Sequence, residues 1–344
     1  MTARRLAFLL LGLGLVVFPF VGSTTLIRTA TLTLITIVAA LGLNVLTGVA
    51  HQFSAGHAAF VAIGAYTAAY VMVDLELPYP FALLMAAVVA GAVGLVFAPV
   101  AFKLRHLGLA LVTFGLVFVV QHVLRNVTSL GGGLRPKTVP DATLFGINLG
   151  QPSQFGPVTL TRPIQYYLLA LVIAALAAWL VHNILRSRTG RNLSAMGDLA
   201  TEQLAAHVGA STRRVKAQAF VLSSLLAGLA GGLLAPFVRV LQYESYGIEM
   251  SVEYLAIIVI GGLGSVTGSV LGAVFVITLR DVIRLIAPAM PFIADAGSTS
   301  GLTIAQATTL TYGLLIVLLL ALRPDGLVSL LPRRRPQPVL MSTG

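Results

Sequence analysis

IQYYLLALVIAALAAWLVHNIL, at Ile164–Leu185, contains no Asp, Glu, Lys or Arg. A transmembrane α-helix needs about 20 consecutive apolar residues, so this stretch is long enough to cross a bilayer. The next segment, Arg186–Lys216, reads RSRTGRNLSAMGDLATEQLAAHVGASTRRVK and holds six of the 22 basic residues and two of the 11 acidic ones. A second apolar run, Ala217–Pro236, follows it. A charged segment between two such runs must face water, so the three together predict a helical membrane protein with a polar loop.

Apolar runs of similar length recur along the whole chain of 344 residues. The chain is 57% hydrophobic and 10% charged, with a mean hydropathy of +0.95, whereas globular domains are about 25% charged. We expect an all-α fold, a polytopic transmembrane helical bundle of about nine or ten membrane segments, because the alternating pattern of barrel strands is absent. The predicted segments are Leu6–Val21, Leu26–Leu46, Ser54–Val73, Phe81–Ala101, Leu107–Leu124, Ile164–Leu185, Ala217–Val238, Tyr254–Leu279 and Ile304–Leu322.

The distribution of basic residues predicts the orientation, because Lys and Arg are enriched in cytoplasmic loops. With the amino terminus inside, Arg4, Arg5 and the Arg186–Lys216 loop are cytoplasmic. The loops then expected outside are Asp74–Pro80, Arg125–Pro163 and Gln242–Glu253. Arg125–Pro163 is basic, but reversing the orientation would place the more basic Arg186–Lys216 loop outside.

The run Tyr254–Leu279 contains the sequence GGLGS at Gly261–Ser265. A helix break there creates two segments and returns the basic tail, residues 323–344, to the cytoplasm. Broken helices are tolerated where neighbouring protein satisfies the freed backbone groups. The alternative is one long tilted helix with packed glycines. At the other end of the chain, Met1–Gly22 is expected to be a retained helix and not a cleaved signal peptide.

A few polar side chains lie at or near membrane depth and are candidates for lining a translocation path, although helix-to-helix hydrogen bonds are an alternative role for each. They are Asn44, Gln52, Ser54, His57, Tyr66 and Thr113. No carboxylate is expected at mid-membrane, which argues against a proton or Na⁺ relay. Glycines recur at four-residue spacing at Gly228–Gly232 and Gly264–Gly268–Gly272. This spacing favours seams of close helix packing over contacts with substrate.

The sequence contains no motif that supports catalysis. The phosphate-binding pattern Gly-x-x-x-x-Gly-Lys-Ser/Thr is absent, cysteine is absent, and no His/His or His/Glu spacing suits zinc. We therefore expect no enzyme activity, no metal and no cofactor. The net charge of +11 fits loops that face anionic lipid better than a nucleic-acid partner.

The centre of the charged loop, Asp198–Gly209, has the features of a short docking helix. Asp198 or Thr201 can cap its start, Glu202 is suited to its first turn, and Gly209 can end it. Small apolar residues on one face fit insertion into a partner's groove. A solvated linker helix is the alternative.

Four stretches, in order, resemble the LivM-type membrane permeases of branched-chain amino acid ABC transporters, and the resemblance extends over nearly the whole chain. They are LGLNVLTGVAHQFSAGHAAFVAIGAYTAA (Leu41–Ala69), AFVLSSLLAGLAGGLLAP (Ala219–Pro236), IIVIGGLGSVTGSVLGA (Ile257–Ala273) and LRPDGL (Leu322–Leu327). The resemblance implies that residues 1–322 form a permease domain in a bacterial or archaeal inner (plasma) membrane, which moves branched-chain or other amino acids.

The resemblance also implies partners. They would be a LivH-like permease subunit that forms a heterodimer with this chain, two cytoplasmic ATP-binding subunits that hydrolyse ATP, and an extracytoplasmic substrate-binding protein. The loop 186–216 would couple to the ATPase, although it departs from the usual Glu-Ala-Ala-x-x-x-Gly pattern. The implied coupling residues are Asp198, Glu202, Ala205, Ala206 and Gly209.

Other functions remain open at this point. A closely similar permease could carry urea or short amides. A secondary transporter or channel would work without an ATPase and would usually carry ionisable residues inside the membrane. A membrane-embedded enzyme would need a nucleophile, base or metal set at depth, and His51 and His57 alone are too few.

Overall fold

The computed structural model describes residues 3–104, 107–144, 146–155, 158–194, 212–286, 306, 310–311, 313–314, 318 and 326–330. Most of these residues are helical. The α-helices are α1 (Ala3–Val21), α2 (Thr24–Leu43), α3 (His57–Val73), α4 (Tyr79–Lys103), α5 (Leu107–Asn126), α6 (Thr128–Gly131), α7 (Arg162–Arg186), α8 (Arg188–Ser194), α9 (Thr212–Val238), α10 (Ile248–Gly261) and α11 (Val266–Ile286). A π-helix, Asn44–Val49, continues α2, and 3₁₀ helices cover Tyr243–Tyr246 and Leu327–Leu330.

The described residues contain six helical segments that are long and apolar enough to cross a membrane: Thr24–Val49, Tyr79–Val100, Gly108–Asn126, Arg162–Arg186, Arg213–Val238 and Val266–Ile283. Gly12–Val21 and His57–Val73 are shorter apolar helices. The predicted all-α, polytopic membrane fold is therefore confirmed. Three predicted segments lie outside the described residues: the span Ile304–Leu322, apart from a few positions, the loop core Asp198–Gly209, and the basic tail 323–344, apart from residues 326–330.

Helix α9 lies at the centre of the bundle and packs against α2, α3 and α4. Glycines permit this close packing. A Cβ atom at Gly64 of α3 would overlap the backbone of Gly228 in α9, and one at Gly232 would lie 2.9 Å from the Cβ of Ala86 in α4. The glycines at 228 and 232 therefore form the predicted packing seam.

The predicted break is present, because α10 ends at Gly261 and α11 begins at Val266. Gly262 (φ 119°) and Gly264 (φ 76°) have positive φ angles, which glycine adopts without strain. The two helices then pack against each other as a hairpin. A Cβ at Gly261 would overlap the carbonyl oxygen of Gly268, so the second glycine series is also a packing seam.

Short antiparallel strand pairs cover one end of the bundle, which we call the strand end. The strands are β1 (Lys137–Thr138), β2 (Thr143–Leu144), β3 (Ile147–Asn148), β4 (Ser153–Phe155), β5 (Val158–Leu160) and β6 (Val240–Leu241); β1 pairs with β6, β2 with β3 and β4 with β5. Lys137 Nζ lies 2.7 Å from Asp74 Oδ2 and also donates a hydrogen bond to the Ser129 carbonyl. The loops 74–80, 125–163 and 242–253 therefore meet at the same end, as the orientation argument requires.

Asp141 connects two helices at the strand end. Its Oδ1 lies 2.9 Å from Nε of Arg162, at the start of α7, and its Oδ2 is ion-paired with Arg239, directly after α9. Burial raises the pKa of the Asp141 carboxyl, but hydrogen bonds from Arg239 and Arg162 outweigh burial and lower the pKa below its ordinary value. Lys137, Arg162 and Arg239 therefore have acidic partners, which helps a basic loop to share an end with the acidic ones.

The opposite end, which we call the break end, contains the Gly261–Ser265 turn. Helix α8, the beginning of the charged loop, contacts the π-helix there. The 3₁₀ helix Leu327–Leu330 contacts both α10 and α11. The charged loop and the start of the basic tail therefore lie at the same end, in agreement with the predicted topology.

The predicted limits of the run Tyr254–Leu279 need correction. Helices α10 and α11 extend beyond the predicted run Tyr254–Leu279, and these extensions contain paired ionisable residues. Arg280 Nη1 lies 3.1 Å from Glu253 Oε1, and Asp281 Oδ2 accepts a hydrogen bond from Thr29 Oγ1. The predicted limits exclude these residues because their charges lower the local hydropathy. In the structure both helices pack against α2 and continue through these residues.

Candidate functional site

The site begins where α2 changes its geometry. The π-helix Asn44–Val49 is followed by the non-helical connection Ala50–Gly56, and α3 begins only at His57. The predicted third span therefore starts three residues too early, and Ser54 belongs to the connection. His51 has a φ angle of 53°, which is uncommon for a residue other than glycine. Short π-helices and strained backbone both occur frequently at functional sites.

Asn44 joins this interruption of α2 to the break between α10 and α11. Its Nδ2 donates hydrogen bonds to the carbonyl oxygen of Ser265 at 2.8 Å and to Ser269 Oγ at 2.7 Å. Its Oδ1 accepts a hydrogen bond from the Gly264 N–H at 2.8 Å. The side chain therefore satisfies the Gly264 N–H and gives the Ser265 carbonyl, which also accepts the Ser269 N–H, a second hydrogen bond, so it stabilises the broken hairpin.

Two hydroxyl groups hold the connection Ala50–Gly56 and the start of α3. Thr113 Oγ1, on α5, accepts a hydrogen bond from the Ala55 N–H at 3.0 Å. Ser251 Oγ, on α10, accepts one from the Ala58 N–H at 3.2 Å. Both hydroxyl groups satisfy amides that have no helical partner, so Thr113 and Ser251 position this part of the chain.

Gln52 and Ser54 differ from these residues because their side chains are buried without partners. Gln52 is 6% exposed and Ser54 is 1% exposed. Neither amide atom of Gln52 has a hydrogen-bond partner, and neither does Ser54 Oγ. Only the backbone of Gln52 has partners: its N–H donates to the Leu46 carbonyl at 2.9 Å, and its carbonyl accepts the Thr47 hydroxyl at 3.2 Å.

His57 is the first residue of α3 and is also buried. Its Nε2 lies 2.9 Å from the carbonyl oxygen of Ala39, and its ring packs edge-on against Tyr254 with centroids 5.3 Å apart. Its Nδ1 has no partner. Because a carbonyl only accepts hydrogen bonds, we assign the proton of the neutral ring to Nε2, which leaves Nδ1 as an acceptor.

Of the six predicted path residues, five surround the connection Ala50–Gly56. The sixth, Tyr66, lies further along α3, where its ring packs against Tyr246 with centroids 5.9 Å apart and its buried hydroxyl has no partner. Sequence reasoning missed Ser251, Ser265 and Ser269. Serines are common in membrane helices, so nothing local marked them as partners.

The described residues contain no group of three His, Asp or Glu side chains that could hold a metal ion. What they do contain is a bundle of membrane-crossing helices with two interruptions that meet at Asn44. Interrupted helices with polar groups at the interruptions are typical of membrane transport proteins. The fold and site therefore indicate a polytopic helical transport protein.

Comparison with known proteins gives the family. The family described as "Branched-chain amino acid transport system / permease component" matches residues 25–322. The LivM permease of the high-affinity branched-chain amino acid transport system of Escherichia coli (strain K12) is 32% identical over 350 residues, which cover 98% of this chain and 77% of that protein. The chain therefore belongs to this family of permease components.

More distant relatives are also similar to this chain. The LivH permease of the same Escherichia coli system is 25% identical over 301 residues, covering 84% of this chain and 89% of LivH. LsrC, the autoinducer 2 import system permease of Salmonella typhi, is 33% identical over 121 residues, only 34% of this chain. No solved structure matches the chain.

Proposed function

We propose that this chain is the LivM-like subunit of an ATP-dependent importer of branched-chain amino acids. The observation that carries the proposal is its similarity to LivM, at 32% identity over 98% of the chain. The similarity includes both interrupted helices, so it extends through the candidate site.

We propose that the importer has the composition that the sequence resemblance implies. This chain pairs with a LivH-like permease, two ATP-binding subunits dock on the cytoplasmic face, and a binding protein delivers the substrate from outside. ATP is hydrolysed by the ATP-binding subunits. The break end faces the cytoplasm in this proposal, because the charged loop 186–216 starts there. The binding protein docks at the strand end.

Within this chain, the proposed translocation path runs past the connection Ala50–Gly56. Gln52, Ser54 and His57 contribute polar groups to it, and Tyr66 lies further toward the strand end. Asn44 and Thr113 contribute by fixing the backbone, since their side chains already have partners. Glu253, Arg280 and Asp281 need no relay role in this proposal, because Glu253 pairs with Arg280 and Asp281 with Thr29.

Reconstitution tests this proposal. The permease pair, its ATPases and its binding protein are placed in proteoliposomes, and uptake of radiolabelled leucine and of radiolabelled urea is measured with and without ATP. We expect leucine uptake only when ATP, the ATPases and the binding protein are all present. Leucine uptake without ATP would identify a secondary transporter or channel, and uptake of urea instead of leucine would identify an amide permease.

A further inference from the structure

Unpartnered polar atoms are concentrated in one short segment of this chain. Among the described residues, seven buried side-chain N or O atoms have no hydrogen-bond partner, and four of them belong to Gln52, Ser54 and His57. A buried polar atom without a partner is destabilising and calls for an explanation. Four such atoms within six residues indicate that something polar completes this segment during function.

The same segment leads into the amino terminus of a long helix. Helix α3 has 17 residues, begins at His57, and receives no side-chain hydrogen bond from its N-cap residue, Gly56; of its first amides, Ala58 donates to Ser251 Oγ and Ala59 to the Gly56 carbonyl. The amino-terminal end of a helix carries a partial positive charge and favours carboxylates. In membrane transporters, the amino termini of interrupted helices are directed at anionic groups of substrates.

The unpartnered atoms combine donors with acceptors and carry no fixed charge. Ser54 Oγ and Gln52 Nε2 can donate hydrogen bonds, while Gln52 Oε1 and His57 Nδ1 can accept them. A carboxylate alone would leave the acceptors unsatisfied, and an amine alone would leave the donors unsatisfied. A zwitterion uses both sets: its carboxylate binds the donors and the helix terminus, and its ammonium group binds the acceptors.

We propose that Gln52, Ser54 and His57 bind the zwitterionic α-amino acid head group of the substrate, in a site that the structure holds closed. The proposal rests on the proposed function and adds the chemical group that this site recognises. Opening requires movement of the connection Ala50–Gly56. The positive φ angle of His51 and the π-helix before it show that the backbone here is already irregular.

The chain contains no cysteine, so single cysteines report on this site without background. Gln52→Cys and Ser54→Cys are introduced into the complete transporter with its ATPases and binding protein. A small charged thiol reagent is applied in the nucleotide-free state and in the vanadate-trapped ATP state. Ala62→Cys is the control, because Ala62 lies in α3 and is 0% exposed.

We expect both site variants to react about tenfold faster than the Ala62→Cys control in at least one of the two states, because only the site opens. Leucine should slow this reaction, whereas 3-methylbutylamine and 4-methylpentanoate, which each carry half of the head group, should not. Reaction as slow as the control in both states would overturn the proposal. So would reaction that leucine does not slow, or that urea slows equally.

The variant Ser54→Ala gives a second measurement that separates substrate binding from a structural role. If the hydroxyl binds substrate, its removal should leave the Tm of the complex unchanged or higher and raise the KM for leucine uptake about tenfold. If an internal water alone satisfies it, the KM should not change, which would overturn the proposal. Absence of ATP-dependent leucine uptake by the unmodified transporter would instead overturn the proposed function, and this inference with it.

Discussion

The side-chain nitrogen of Asn44 lies 2.8 Å from the carbonyl oxygen of Ser265, which is 221 residues further along the chain. At the other end of the same helix pair, Thr29 of α2 donates a hydrogen bond to Asp281 of α11. The two helices are therefore antiparallel and are fastened near both ends. Any movement of the broken hairpin relative to the bundle must either carry α2 with it or break one of these contacts.

Replacing Asn44 tests the first of these contacts. Asn44→Leu removes all three hydrogen bonds and leaves the Gly264 N–H and the Ser265 carbonyl without this partner, which should destabilise the chain by about 1–3 kcal/mol. We expect a lower Tm of the detergent-solubilised complex and loss of ATP-dependent uptake. Asn126→Leu is the matched control, because Asn126 is exposed and its side chain bonds only within its own helix. An unchanged Tm for Asn44→Leu would show that the break does not depend on this side chain.

Helices α3 and α9 are so close where they cross that a Cβ atom at Gly64 would not fit between them. Gly64→Ala places a methyl group against the backbone of Gly228, so the two helices must separate. We expect a loss of about 1–3 kcal/mol in stability, as for other overpacked cores, and reduced membrane yield of the folded protein. Gly115→Ala in α5 meets no atom within 4 Å and should leave Tm unchanged or slightly raised. Equal Tm values for the two variants would contradict the packing described for α9.

Acid should weaken the strand end through Asp141. The folded protein lowers the pKa of this carboxyl below its ordinary value of 3.8, so the stabilisation is present above that pH and disappears as the pH falls through the lowered pKa. At pH 7, Asp141→Asn should lower stability by about 1 kcal/mol, a small value because Arg239 is half exposed and water screens the pair. The Tm difference between wild type and Asp141→Asn should shrink below pH 3.8. A difference independent of pH would exclude this carboxylate as the cause.

The coupling prediction concerns residues outside the described ranges. Gly209→Asp and Ala205→Arg add charge and bulk to the expected docking helix, so they should disrupt its contact with the ATP-binding subunits. We expect loss of uptake together with normal membrane insertion and normal assembly with the LivH-like subunit. ATPase activity of the complex should no longer respond to loaded binding protein. Normal uptake by both variants would remove this loop from the coupling mechanism.

Hydropathy predicted most of the described helices of the bundle, and the distribution of basic residues together with the GGLGS sequence predicted their relative topology and the break at Gly261–Ser265. These features depend on local composition: a helix must satisfy its backbone within lipid, and positive φ angles favour glycine. The limits of α10 and α11 were wrong for a related reason. Glu253 and Arg280 lower the local hydropathy, and only their pairing across the hairpin makes them compatible with a packed helix.

The candidate site was predicted in part. The high density of polar residues from Asn44 to His57 predicted a polar site in this segment. It could not distinguish the side chains that hydrogen-bond the backbone from those that have no hydrogen-bond partner. That distinction depends on Ser251, Ser265 and Thr113, which are distant in sequence from this segment. Contacts between such residues leave no local pattern in a single sequence.

Three ion pairs connect the loops of the strand end. Lys137 is held by Asp74, and Asp141 by Arg162 and Arg239, so the loop is anchored on both sides of the exposed turn at Gly146. Helix α9, from the second half of the sequence, is inserted among α2, α3 and α4 of the first half. Because these contacts join the two halves independently of the backbone at Gly146, we expect residues 1–146 and 147–344, expressed as separate polypeptides, to reassemble into a functional permease.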